Sequence, residues 1–248
     1  MPGAESEFAK VQREYFEEAE VDHYEWTTSG PGFAETEDEL LEPFLERIEE
    51  PCLEMGCGEG NNLFRLVRRA RCFGVDLFPK KLDFAASRLP EARLAVADVA
   101  RMPFADGTFR TVFIRDVLHH VPEPRRVVEE AVRVLQPGGL LCLLEPNARN
   151  PIVQLQTRLV AAEAGARVSR PEHIARLLAE LPLRDVEITT RQPLPLRRLV
   201  YHYQVGFPSL GAMAAPRALV RWSEGLLGKL LPRSRWSYVA AAARRTHA

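Results

Sequence analysis

At 248 residues, with 46% hydrophobic and 27% charged content, the chain suits one large globular domain, or one domain with an added lobe, with ample apolar material for a real core. A formal net charge of -1 gives no global electrostatic reason to expect nucleic acid as a partner. No apolar run is long enough to span a bilayer, and the start MPGAESEFAK lacks the basic and apolar segments of a secretion signal, so a cytoplasmic protein is expected.

The first fifty residues are acid-rich, and EFAKVQREYFEEAEV reads as an amphipathic helix. DHYEWTTSGPGF reads as a turn-rich connector, and ETEDELLEPFLERI as a second helix with Thr36 as its N-cap. Together they make an N-terminal helical cap over residues 1–50. Strict alternation then begins: PCLEM, RCFGVD, ARLAVAD, TFRTVFIRD and PGGLLCLLEPN read as strands, while GNNLFRLVRRA, PKKLDFAASRL and EPRRVVEEAVRVL read as helices. That pattern predicts a mostly parallel sheet covered on both faces. Past residue 150 come a helical stretch, the helix PEHIARLLAEL, the strand RDVEITTRQ, a proline-punctuated segment over 191–235 and a last strand in WSYVAAAARR. The four cysteines form no CxxC pair and sit mainly in strand-like runs, as reduced core residues would.

The stretch LEMGCGEGNN, residues 53–62, carries the functional signal. A strand ending in Glu54, a turn holding Gly56 and Gly58, and a helix beyond it suit a ligand lying against bare backbone. A dinucleotide asks for G-x-G-x-x-G, whereas the spacing here is G-x-G-x-G after a carboxylate, which suits a ligand carrying an ammonium. Asp76 closes the second strand about 20 residues on, the distance of an acid that accepts ribose hydroxyls. Asp98 closes the third strand, with Val99 beside it, where an adenine edge would be met.

With these motifs in order, residues 51–147 resemble the class I S-adenosylmethionine (SAM)-dependent methyltransferases, most closely the branch of ubiquinone and menaquinone biosynthesis. LEMGCGEGN, GVDLFPKKLDFA, ADVARMPFADGTF, FIRDVLHHVPEP and LQPGGLLCLLEPN match successive family motifs. The resemblance implies a Rossmann-like seven-stranded sheet with helices on both faces, a SAM-binding domain over 51–248, and 191–235 as an insertion before the last strand. It implies that Glu54, Gly56 and Gly58 line the amino-acid end of SAM, Asp76 holds the ribose, Leu77 packs under adenine, Asp98 and Val99 meet its edge, and Arg115 contacts the ligand through its backbone. Arg110 stands where family members commonly carry Asp, and no [DN]-P-P-[FYW] stretch follows strand four, which argues against methylation of DNA bases or protein Gln.

Methyl transfer from a sulfonium needs orientation first and, for a high-pKa oxygen, a general base. His119, His120 and Glu145 lie at the carboxyl edge of the sheet and are the catalytic candidates. Adjacent histidines are expected to point apart, so one at most faces the pocket and no metal site is expected. Tyr15, Tyr24 and Trp26 are candidates for a lid. ALVRWSEGLLGKLL reads as an amphipathic helix with Arg217, Arg221 and Lys229 on its polar side. Three readings compete for the insertion: a lid over an apolar acceptor, which is favoured, a membrane-surface contact through 212–233, and a homodimer interface. The expected function is methyl transfer to a small-molecule acceptor, at oxygen rather than carbon or nitrogen, with a non-catalytic SAM-binding scaffold as the rival from another class.

Overall fold

The computed structural model describes residues 7–247, so the first six residues of the expected cap and Ala248 lie outside it. Seven strands form one sheet: β1 (Cys52–Met55), β2 (Cys72–Asp76), β3 (Arg93–Val96), β4 (Phe109–Arg115), β5 (Leu135–Pro146), β6 (Leu183–Arg191) and β7 (Tyr238–Arg245), in the order β3-β2-β1-β4-β5-β7-β6. β1 to β5 pair in parallel, and only β7 runs antiparallel to its neighbours β5 and β6. In chain order the helices are α1 (Glu7–Phe16), α2 (Val21–Ser29), α3 (Ala34–Leu45), α4 (Leu63–Leu66), α5 (Pro79–Arg88), α6 (Pro124–Val134), α7 (Pro151–Leu159), α8 (Pro171–Ala179), α9 (Leu196–Val200), α10 (Pro208–Gly211) and α11 (Ala214–Leu230).

The period-2 geometry of strands splits the core into two layers. Leu53, Met55, Val112, Ile114, Leu141, Leu143, Val239 and Ala241 face one side, against Val127, Val128 and Ala131 of α6 and Ile174 and Leu178 of α8. Cys52, Phe113, Leu140, Cys142, Leu144, Ala240 and Ala242 face the other, against α3, α4 and α5 through Leu40, Phe44, Leu63, Leu66 and Leu82. Both faces of the central strands are covered, which is why they read as unbroken apolar runs.

Four local expectations change. Residues 22–29 of the expected connector belong to α2, whose polar and aromatic residues show no apolar stripe because Tyr24, Trp26 and Thr27 are all buried by neighbouring elements. Thr36 is not an N-cap: α3 starts at Ala34, and the Thr36 hydroxyl lies inside the helix, 3.4 Å from the Gly32 carbonyl. The helix expected over 60–70 is α-helical only across Leu63–Leu66. In α11 the amphipathic reading is inverted. Arg217 and Arg221 turn toward Glu35 and Glu39 of α3, Glu224 is buried on Arg197 at 2.6 Å, and Leu219, Trp222, Leu226 and Leu230 are exposed.

A third apolar cluster ties the N-terminal helices to the insertion. Trp26 stacks on Phe33 at 3.8 Å, and its indole N–H donates to the Tyr201 carbonyl at 2.7 Å. Arg110, the departure from the family's usual Asp, forms an ion pair with Glu49 at the sheet's amino-terminal side. Among the described residues no helix is long and apolar enough to cross a membrane.

Candidate active site

A cavity of about 440 Å³ opens where the chain leaves the carboxyl ends of β1, β2, β3 and β4. The crevice between β1 and β4 is the place where strand order reverses in this sheet, and open α/β folds bind ligands there. The turn after β1 forms its floor. Gly56 has φ +74°, and a Cβ on it would lie 2.5 Å from Cγ2 of Val117. Gly58 has φ +51°, and a Cβ there would meet nothing within 4 Å, so the turn presents bare backbone to open space.

Asp76 fixes that turn. Its Oδ2 accepts the Gly58 N–H at 2.9 Å and its Oδ1 accepts the Phe78 N–H at 3.0 Å. Burial nevertheless raises its carboxyl above the ordinary Asp range. Leu77, Asp98 and Val99 continue the wall, with Leu77 and Asp98 exposed to the cavity and Asp98 accepting from the Ala100 N–H at 2.8 Å. These residues come together as the sequence places them.

Glu54 is displaced from its expected place. It lies fully buried beneath the turn rather than on the cavity wall, and its Oε1 accepts from Asn62 Nδ2 at 2.6 Å. Its Oε2 is buried without a hydrogen-bond partner, and desolvation pushes the carboxyl up to about 8. Arg115 ends β4 itself and lines the cavity, and its side chain is engaged in the fold: Nη1 pairs with Glu37 of α3 at 2.6 Å and donates to Asn62 Oδ1 at 2.9 Å.

The histidines divide. His119 is buried, with Nδ1 2.7 Å from Glu145 Oε2 and Nε2 3.4 Å from Glu163 Oε2, and these carboxylates raise it to about 10 against the desolvation of burial. Glu145 also accepts the N–H groups of Val117 and Leu118 at 2.9 Å each, so it braces the chain after β4 and faces a neighbouring cavity instead of the first one. His120 lines the first cavity. Its Nδ1 is buried with no hydrogen-bond partner, and desolvation, then the His119 charge, lower it to about 4. The expectation that the two rings point apart fails in this 3-10 turn: their centroids lie 3.8 Å from each other.

Sequence reasoning missed the cap's contribution. Tyr24 packs on Phe84 and Trp26 on Phe33, while Phe8, Gln12, Phe16, His23 and Thr27 face the cavity. It also missed Asn62, Glu37 and the buried Lys81–Glu59 pair at 2.9 Å. Each is a polar residue with a partner more than twenty positions away, Arg115 in the case of Asn62 and Glu37.

A parallel sheet with a glycine turn at its switch point, held by the acid of the adjacent strand, is the arrangement of a nucleoside-binding α/β domain. The open space at Gly58 and the two strand-end carboxylates on the cavity wall fit a nucleoside such as SAM. The family model described as "Methyltransferase domain" matches residues 53–143. The trans-aconitate 2-methyltransferase of Rhodopseudomonas palustris is 30% identical over 199 residues, 76% of this chain and 75% of that protein. A Haemonchus contortus phosphoethanolamine N-methyltransferase 2, in complex with SAM, superposes with a TM-score of 0.67 at 18% identity, over 100% of this chain and 62% of its own. An uncharacterized protein of a Streptomyces fradiae transposon is 32% identical over 115 residues, 44% of this chain, and the chain spans only a third of its length. The chain belongs to the class I SAM-dependent methyltransferase family and is a SAM-dependent enzyme of the small-molecule type.

Proposed function

We propose that the enzyme methylates an oxygen of a small, largely apolar acceptor bound between α1 and the segment after β4. The observation that carries this reading is His120. It is a neutral imidazole on the wall of the SAM-type cavity, with an uncommitted lone pair among Phe8, Phe16, Val117 and Val121. In the assignment we favour, Asp76 holds the ribose, Asp98 and Val99 meet adenine, Leu77 packs beneath it, and Gly56 and Gly58 admit the amino-acid end, with Glu54 behind them. When bound, SAM supplies an electrophilic methyl group. His120 anchors the acceptor hydroxyl and takes its proton as the oxygen becomes a nucleophile. The cavity walls exclude water and hold the acceptor in line, which accounts for most of the rate in a displacement with so good a leaving group. His119 and Glu145 set the position of this segment.

We further read residues 1–50 as a cap and 191–235 as an acceptor-side insertion of the domain over 51–248. The exposed Leu219, Trp222, Leu226 and Leu230 support a peripheral membrane contact through 212–233, with a homodimer interface as the competing use of the same stripe. Four unpaired buried cysteines support a reducing, cytoplasmic setting. The deciding experiment is a screen of phenolic and long-chain hydroxyl acceptors for release of S-adenosylhomocysteine (SAH), with NMR of the product to locate the methyl group. A methyl on carbon or nitrogen overturns the oxygen reading. Flotation with anionic vesicles, and its loss in Trp222→Glu, separates membrane contact from dimerisation.

A further inference from the structure

We propose that His119, His120 and Glu163 form a binding site for one divalent transition-metal ion at the cavity wall. The inference rests on the oxygen-acceptor reading and specifies how that oxygen is held. The three side chains each bring a ligand atom to within 4.8 Å of the others. Two imidazoles and one carboxylate are the donor set of open, three-ligand sites for zinc and related ions, which leave a position for an oxygen ligand.

The shell behind the ligands is built as such sites require. His119 Nδ1 faces Glu145 at 2.7 Å, and Glu145 is itself locked by two backbone N–H groups at 2.9 Å, so the ring is fixed with Nε2 toward Glu163. His120 brings an Nδ1 that is buried and unpartnered. The segment carrying Glu163 approaches closely because Gly165 lies against the His119 backbone; a Cβ on it would fall 1.9 Å from the His119 carbonyl oxygen. Gln12 reaches the same segment, its Nε2 donating to the Ala162 carbonyl at 2.7 Å while its buried Oε1 finds no partner. An unused buried nitrogen beside a carboxylate–imidazole contact is costly in a metal-free protein and useful in a metal-bound one.

The position suits a Lewis acid. His120 lines the first cavity, and His119 lines its neighbour, so an ion between them is reached by an acceptor hydroxyl or carboxylate in either. With the His120 lone pair committed to the ion, the ion would replace His120 as base: it would lower the pKa of a bound acceptor hydroxyl so that the proton leaves to water.

The test treats the purified full chain with chelator, dialyses it against Zn²⁺ or Co²⁺, and measures metal per chain and the visible spectrum of the Co²⁺ form. SAH binding is titrated in parallel. The expected result is one ion per chain in the wild type, its loss in Glu163→Gln and in His120→Asn, and unchanged SAH binding in all three. No uptake by the wild type, or undiminished uptake in both variants, overturns the metal site. In that case His119 stands as an imidazolium bridging Glu145 and Glu163. Failure of the wild type to bind SAH strikes the cofactor reading instead, whatever the metal does.

Discussion

Arg115 at the end of β4 and Glu37 inside α3 meet at 2.6 Å, both almost without exposure to solvent. Arg115 also holds Asn62, and Asn62 holds Glu54, so one chain of buried hydrogen bonds, charge-assisted at its Arg115 end, runs from the cap to the floor of the turn. Breaking a buried pair by removing one member leaves the other uncompensated and costs about 3–5 kcal/mol. Glu37→Gln should therefore lower stability by that order in urea denaturation and weaken SAH binding as well. A variant with wild-type stability and affinity would mean that the cap is held by its apolar contacts alone.

The glycines of the turn should respond differently to a methyl group. Gly56→Ala drives a Cβ to 2.5 Å from the Val117 side chain at a positive φ, so it should destabilise the fold. Gly58→Ala meets open space and carries only the strain of its backbone, about 1–2 kcal/mol. Its methyl instead occupies the cavity floor. The predicted pattern is a larger drop in melting temperature for Gly56→Ala and, for Gly58→Ala, a loss of SAH affinity out of proportion to its stability change.

Asp76 makes two bonds to backbone N–H groups and still faces the cavity, so Asp76→Ala should loosen the turn and remove the ribose acceptor together. Hydrogen bonds to charged groups contribute about 1.5–3 kcal/mol, which predicts a roughly ten- to hundredfold weaker SAH titration. Unchanged affinity would refute the ribose assignment.

The two histidines separate in kinetics. His120→Ala should slow turnover while leaving SAH affinity near wild type, because the ring lines the cavity and its Nδ1 has no hydrogen-bond partner. Glu145→Gln should lower stability first, since Glu145 binds His119 and two N–H groups at once. Equal losses of rate in both variants, with equal loss of stability, would reduce the pair to scaffold.

The convergence of the glycine turn with the strand-end acids was legible because a parallel sheet makes position a function of strand order. An acid at the end of a strand lands at the same edge as a glycine turn at the end of the next, and so Asp76, Asp98 and Gly58 converge. The acceptor half was not legible. Which face His119 turns depends on a 3-10 turn and on Glu145, a partner from the next strand. The inversion of α11 depends on ion pairs with α3, so its apolar face could be read from the sequence but the side it shows could not.

Glu54 gives the sharpest pH prediction. Its carboxyl, ordinarily near 4.5, is raised to about 8 by burial, opposed only partly by Asn62 and Arg115. Between those values the native chain holds a proton that the unfolded chain has released. Stability from this group is thus fully present below about pH 4.5, falls by about 1.4 kcal/mol per pH unit through the window, and is lost above about 8. Glu54→Gln keeps the shape and removes the titration, so the difference in stability between wild type and variant should drift against the wild type from pH 5 toward 8. A difference that stays flat would mean that Glu54 is already ionised, with Arg115 as its effective counter-charge. Glu54 lies beneath the turn and not on the cavity wall, so a bound cation acts on it through the turn backbone and favours the ionised carboxylate. SAM binding near neutral pH should then release a proton, seen as an enthalpy that depends on the buffer's ionisation heat in wild type and not in Glu54→Gln.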